Sequence, residues 1–145
     1  MGGRVMGIPY PLGRDAGYLD IRDTWVDYRG SLAIAATAEF GFEVMLITAS
    51  HTPQLYDPGP GPMTKTVVRV DDRAWIASRA ILFKCHIQHD ATVGAGAVVK
   101  GVVIPPYTLA EGNPAKLVAV WTDKAWRRLA VPEDPPRFEP VDVPQ

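Results

Sequence analysis

Val70-Asp71-Asp72-Arg73-Ala74-Trp75-Ile76-Ala77-Ser78-Arg79-Ala80-Ile81-Leu82 is the stretch that decides the architecture of this chain. Its large aliphatic residues, Val70, Ile76 and Leu82, recur every six positions, with Ala74 and Ala80 between them. A helix returns apolar residues at three, four and seven, and a half-buried strand alternates by two. A period of six with one large and one small apolar residue marks a hexapeptide β-helix. Each hexapeptide forms one flat side of a triangular coil. The large residue points into the prism and the small one fits near a corner.

The same rule runs outward in both directions. Upstream, Ile34, Phe40 and Leu46 are six apart, with Ala38 and Val44 at the intermediate position. Downstream, Ile87, Val93 and Val99 repeat it with Ala91 and Ala97. The step from Leu82 to Ile87 is five, which predicts a one-residue deletion at a corner near Phe83-Lys84. Stacked coils bury one continuous core and satisfy the backbone through adjacent turns. A β-sandwich with irregular spacing is the competing architecture. The N-terminal part is less regular: Tyr18-Leu19-Asp20-Ile21 and Trp25-Val26-Asp27-Tyr28 read as degenerate coils, and residues 1–17 carry too little pattern to place.

Composition bounds the function classes. The 145 residues fit one domain with a respectable core, and 47% apolar against 21% charged residues is ordinary for a globular chain. A formal charge of −1 with no basic block argues against a nucleic-acid partner. No apolar run is long enough to span a bilayer. The first residues lack the apolar region and cleavage pattern of a signal peptide. The single cysteine, Cys85, cannot form an intramolecular disulfide. A cytoplasmic location is the expectation.

Residues 52–66 interrupt the repeat with prolines and glycines, which cannot continue a coil because proline removes the ladder donor. A protruding loop that serves the site is expected there. After Val99, the turn-rich run Pro105-Pro106-Tyr107-Thr108-Leu109-Ala110-Glu111-Gly112-Asn113-Pro114-Ala115-Lys116 closes the last coil. Thr122-Asp123-Lys124-Ala125-Trp126-Arg127-Arg128-Leu129 combines an N-cap with helical spacing, which predicts a short capping helix. Residues 131–145 read as an extended or disordered tail. The expected organisation is a β-helical domain over 1–120, with cap and tail over 121–145.

Three stretches carry a family likeness. Val93-Gly94-Ala95-Gly96-Ala97-Val98-Val99, with Glu111-Gly112-Asn113-Pro114-Ala115-Lys116 after it, resembles the C-terminal signature of hexapeptide-repeat acetyltransferases. Val68-Arg69-Val70-Asp71-Asp72-Arg73-Ala74-Trp75-Ile76-Ala77 resembles the coil that follows their catalytic loop, and Thr48-Ala49-Ser50-His51 falls where they place the catalytic histidine. Pro62-Met63-Thr64-Lys65 is most similar to the branch that acetylates sugars in exopolysaccharide synthesis. The resemblance covers roughly residues 18–120. It implies an all-β, left-handed parallel β-helix, a homotrimer with active sites between prisms, acetyl-CoA as acyl donor and a small saccharide acceptor.

Acyl transfer from a thioester to a hydroxyl needs a base for the hydroxyl proton and donors for the developing oxyanion. Histidine suits the first task, since its ordinary pKa lies near neutrality, and His51 is the expected base. No nucleophilic Ser or Cys is required. An acidic residue or second histidine often stands beside this position in the family. Here Thr52 and Ala49 flank it, leaving Ser50 or a backbone carbonyl to orient the ring. The resemblance implies that Trp75 lines the cleft by the acyl group and that Ser78, Ala95, Lys100 and Lys116 contact the CoA. Ala119 replaces a basic residue, so Arg127 or Arg128 is a further candidate for phosphate. Tyr28, Arg29 and Tyr56 are candidate acceptor contacts.

Two rival readings remain at the level of sequence. Zinc enzymes of the carbonic anhydrase type use three histidines on this fold, and the chain has three, His51, His86 and His89. The spacing disfavours it, because His86 beside inward Ile87 faces outward, and no metal is expected. The other rival is a non-catalytic trimeric binding or assembly protein, suggested by Arg22, Ala35, Ala77 and Gln88 at turn positions where glycine is usual.

Overall fold

The structure, a computed structural model, describes residues 4–6, 24–53 and 60–139. Tyr18-Leu19-Asp20-Ile21, Arg22, Tyr56 and residues 140–145 therefore lie outside the described residues. Sixfold periodicity becomes three sheets that the chain visits in rotation. The first face holds β1 (Arg4–Met6), β2 (Trp25–Asp27), β5 (Met45–Ile47), β10 (Ile81–Phe83) and β13 (Val98–Lys100). The second holds β3 (Ser31–Ile34), β8 (Val67–Val70), β11 (Cys85–Ile87) and β14 (Val103–Ile104). The third holds β4 (Glu39–Phe40), β9 (Trp75–Ile76), β12 (Thr92–Val93) and β15 (Thr108–Glu111). Every pairing among these thirteen strands is parallel.

The repeat positions fill the prism. Leu46, Leu82 and Val99 point inward from the first face, Val70, Ile87 and Ile104 from the second, and Ile76 and Val93 from the third. Ala74, Ala80, Ala91 and Ala97 are fully buried at the corners. Each large aliphatic contributes about 1.5–3 kcal/mol by leaving water. Ala33 and Arg69 show the other half of the pattern by facing outward between buried neighbours.

The corners explain the unusual turn residues. Arg73, Arg79, Asp90 and Tyr107 adopt left-handed φ values of 57, 63, 58 and 59°. In two turns the left-handed residue stands two places after Ala77 and after Gln88, so these positions do not require glycine. The expected deletion is present. Lys84 (φ 47°) turns the chain directly from β10 into β11, and Gly101 (φ 70°) does the same from β13 into β14. Partners beyond this point stand seventeen residues apart, as in Val68 with Cys85 and Ile81 with Val98.

The C-terminal end corrects one expectation. Where the spacing predicts a helix over 122–129, β16 (Lys116–Thr122) and β17 (Ala125–Glu133) form an antiparallel hairpin that extends the third face. Asp123 and Lys124, at φ 50 and 60°, make the two-residue turn whose twist suits a hairpin. Leu117 and Ala119 alternate inward along β16, and β15 offers an open row of backbone groups that a helix could not pair. Tertiary pairing overrides local helical spacing here. Part of the expected tail is also docked: Val103 N–H donates to Pro136 and Phe138 N–H to Gly101 (2.8 and 2.9 Å). Gly112–Ala115 covers the end of the first face in the same way, through Val98.

Candidate active site

His51 sits on β6 (Ala49–Pro53), which pairs antiparallel with β7 (Pro60–Lys65). The hairpin leaves the prism at the corner between the first and second faces, where Thr66 N–H donates to the Thr48 carbonyl at 2.7 Å. Pro53 opposes Pro60 on the described arms. Neither can donate to a ladder, which keeps this segment out of the coil. The His51 side chain is exposed, and its Nδ1 lies 2.7 Å from the carbonyl oxygen of Gly61. A carbonyl only accepts, so Nδ1 carries the proton. In the neutral ring Nε2 then keeps its lone pair, which is the form a proton acceptor needs. Of the two candidates for orienting the ring, the backbone carbonyl of Gly61 makes the contact.

The base of the hairpin rests on Asp27, at the end of β2 and only 2% exposed. Its Oδ2 accepts the N–H groups of Thr48 and Ala49, both at 3.2 Å. The Arg29 backbone N–H and guanidinium donate to the same carboxylate, the latter in a bidentate pair at 2.8 and 2.9 Å. Burial alone would raise the Asp27 pKa, but the Arg29 and Thr48 hydrogen bonds and the Arg29 charge together hold it below the ordinary carboxylate value. Thr48 Oγ1 donates to the Asp27 carbonyl at 2.6 Å and accepts from Gly30 N–H at 2.8 Å. A Cβ on Gly30 would stand 2.1 Å from the Thr48 oxygen and 2.5 Å from that of Thr66. Glycine is what allows the strands to approach here.

The other expected residues fall into separate groups within one chain. Arg29 is committed to Asp27, and Tyr28 packs partly buried against the core, where burial pushes its phenol up. Trp75 projects from the third face, 52% exposed. Ser78 and Ala95 come together at the corner between the third and first faces: Gly96 N–H donates to the Ser78 carbonyl, and Ser78 Oγ accepts Phe42 N–H. Lys100 is exposed on the first face with its ammonium 5.8 Å from the Phe83 ring. Lys116 forms an ion pair with Asp134, and Arg128 pairs with Glu111 at 3.5 Å. The prism therefore separates His51 from Trp75. Asp27, Gly30, Thr48 and Gly61 are the members that residue types and spacing did not single out.

The remaining histidines have carboxylate partners. His86 lies 2.7 Å from Asp71, which also pairs with Arg69, and His89 lies 2.8 Å from Asp90, held in turn by Arg73. Among the described residues no group of three or more His, Cys, Asp or Glu comes together. An open groove of about 700 Å³ between the second and third faces is lined by β3, Arg69–Arg73 and His89. A smaller apolar notch of about 240 Å³ on the first face is lined by Trp25, Asp27, Arg29 and Met45–Ile47. Burial pushes the Cys85 thiol up to about 12, so it is no nucleophile at neutral pH. Among the described residues no helix is long and apolar enough to cross a membrane.

Comparison with solved structures identifies the fold. A galactoside acetyltransferase in complex with coenzyme A superposes with a TM-score of 0.63 at 21% identity, over 70% of this chain and 50% of that one. A maltose O-acetyltransferase from Clostridium difficile 630 gives 0.55 at 23%, over 72% and 62%. An N-acyltransferase variant from Bacillus cereus, in complex with dTDP-4-amino-4,6-dideoxyglucose and coenzyme A, gives 0.56 at 15%, over 70% and 65%. This chain spans less than two thirds of the length of each. No family model matches the sequence, and no curated protein does. The architecture is that of the left-handed β-helix of hexapeptide-repeat acetyltransferases.

Proposed function

We propose that this protein transfers the acetyl group of acetyl-CoA to a hydroxyl of a saccharide, with His51 as general base. The carrying observation is the Nδ1–H contact of His51 to Gly61, which presents Nε2 unprotonated from an exposed hairpin. The acceptor oxygen attacks the thioester carbonyl while its proton passes to Nε2. The tetrahedral intermediate then expels the thiolate, which recovers that proton from the imidazolium. The products are an acetyl ester and CoA. Backbone N–H groups of a neighbouring coil supply the oxyanion donors. The similar structures include both O- and N-acyltransferases by name. A positioned base favours the hydroxyl, because a neutral amine already offers its lone pair.

The working unit is a homotrimer. Its support is the outer surface of the first face, where Trp25, Met45, Ile81 and Val98 form one ladder and Ile47 and Phe83 stand in the next. These outward residues are only partly exposed, and packing them against other prisms buries a continuous apolar surface. Trp75 and the Ser78–Ala95 corner of one subunit then meet the His51 hairpin of its neighbour. Acetyl-CoA runs along that cleft, with Lys100 and Lys116 toward its phosphates and the His51 hairpin on the acceptor side.

Thiol release from acetyl-CoA, measured with methyl β-galactoside, maltose and glucosamine as acceptors, tests this reading. Ester products are cleaved by mild alkali and amides are not, so the same samples separate O- from N-transfer. No turnover and no CoA binding by a monodisperse sample would abandon it in favour of a non-catalytic assembly.

A further inference from the structure

The hairpin that carries His51 has little of its own to hold it. Ser50, His51, Thr52 and Pro53 are exposed, as are Pro62, Met63 and Thr64 opposite. An isolated two-stranded hairpin is marginal in water. A slip of one residue would also turn His51 to the other face and away from Gly61. The direction and register of β6 must therefore come from its base, where Asp27 makes its contacts.

We propose that Asp27 is a positioning residue for His51: by holding the Thr48 and Ala49 N–H groups, its carboxylate fixes the angle at which β6 leaves the coil. Both hydrogen bonds end on one oxygen, Oδ2, so the two successive peptides are locked together. Arg29 occupies the rest of the carboxylate and balances its charge, which makes a nearly fully buried anion tolerable. Thr48 ties the same point to the Asp27 backbone and to Gly30. His51 follows Ala49 by two residues. Thr66, after β7, is held separately by the Ser31 N–H, so a rotation of the peptide at 48–49 moves β6 against β7, and the His51–Gly61 contact reports that movement. The kinetic consequence rests on His51 being the base; the orientation of its ring does not.

The experiment uses the full ¹⁵N-labelled chain and long-range ¹H–¹⁵N spectra, which report the tautomer of each histidine. Wild-type His51 reads as the Nδ1–H form. Asp27→Asn, and the charge-neutral pair Asp27→Asn with Arg29→Gln, shift His51 toward the Nε2–H form that free imidazole prefers. With methyl β-galactoside or maltose as acceptor, kcat falls at least 30-fold while KM for acetyl-CoA stays within twofold. Folded variants that retain the Nδ1–H form overturn the proposal. So does failure of the neutral pair to fold, since the carboxylate would then serve the coil rather than the hairpin. If wild type acetylates no acceptor, the acyltransfer reading fails alone, and the tautomer still decides the role of Asp27.

Discussion

His51 reaches past its ladder partner Met63 to Gly61, with imidazole Nδ1 donating to the glycine carbonyl at 2.7 Å. The contact is side chain to backbone, so substitution of residue 61 cannot delete the acceptor. It can be lost only by moving a strand or replacing the histidine. His51→Ala is accordingly expected to lower acetyl transfer by about 10²–10⁴-fold, the usual contribution of a positioned base. The exposed side chain leaves the fold intact, so circular dichroism should be unchanged while thiol release collapses.

Lys116 and Asp134 form an exposed ion pair at the start of β16. Such a pair adds no more than about 1 kcal/mol to stability. Binding a CoA phosphate requires Lys116 to leave Asp134. Asp134→Ala should therefore lower KM for acetyl-CoA, and Lys116→Ala should raise it, with little change in melting temperature for either. Unchanged KM in both would remove Lys116 from the donor site.

Gly30 passes closer to Thr48 and Thr66 than any side chain allows. Gly30→Ala forces a backbone shift and should cost roughly 3 kcal/mol or more. In a domain of this size that lowers the melting temperature by about 10 °C, readable by calorimetry.

Asp27 makes the folded state sensitive to acid. Its carboxyl is held below the ordinary value when folded, so the unfolded chain binds the proton more readily. The stabilisation is fully present above the unfolded value of about 3.9 and is lost as pH falls through the lower folded value. Urea midpoints at pH 6 and pH 3 should differ for wild type, and Asp27→Asn should narrow that difference. An identical pH response in the variant would contradict the role of the buried carboxylate.

Cys85 is fully buried, with its thiol far from ionisation at neutral pH. It should react with a disulfide reagent only after denaturation. Native protein therefore contributes no background when that reagent counts CoA released during turnover.

Legibility in the sequence followed the physics of each feature. The prism was readable because every sixth side chain must enter the same narrow core, as Val70, Ile76 and Leu82 do. The lost residue at Lys84 was readable because a deletion shifts that register. The C-terminal hairpin departs from the helix that the spacing predicts because Thr122-Asp123-Lys124 fits both an N-cap and a two-residue turn. The alternation of Leu117 and Ala119 in β16 was the available signal. The support of His51 had no local signature, since Asp27 meets Thr48 across a whole coil. Gly61 acts through its carbonyl, which every residue possesses.

At the C-terminal end the three faces close differently, and among the described residues none stops there as a bare parallel rung. Gly112–Ala115 closes the first through Val98, Pro136–Phe138 the second through Val103 and Gly101, and β16–β17 the third. A naked last coil would be a growth front, since its unpaired peptides match the first coil of another molecule. The outermost strand that replaces it on the third face runs antiparallel and carries Arg127, Arg128 and Pro132. A repeat that could in principle lengthen without limit is thereby made finite at this end, and the molecule is kept from becoming a monomer unit in a fibre.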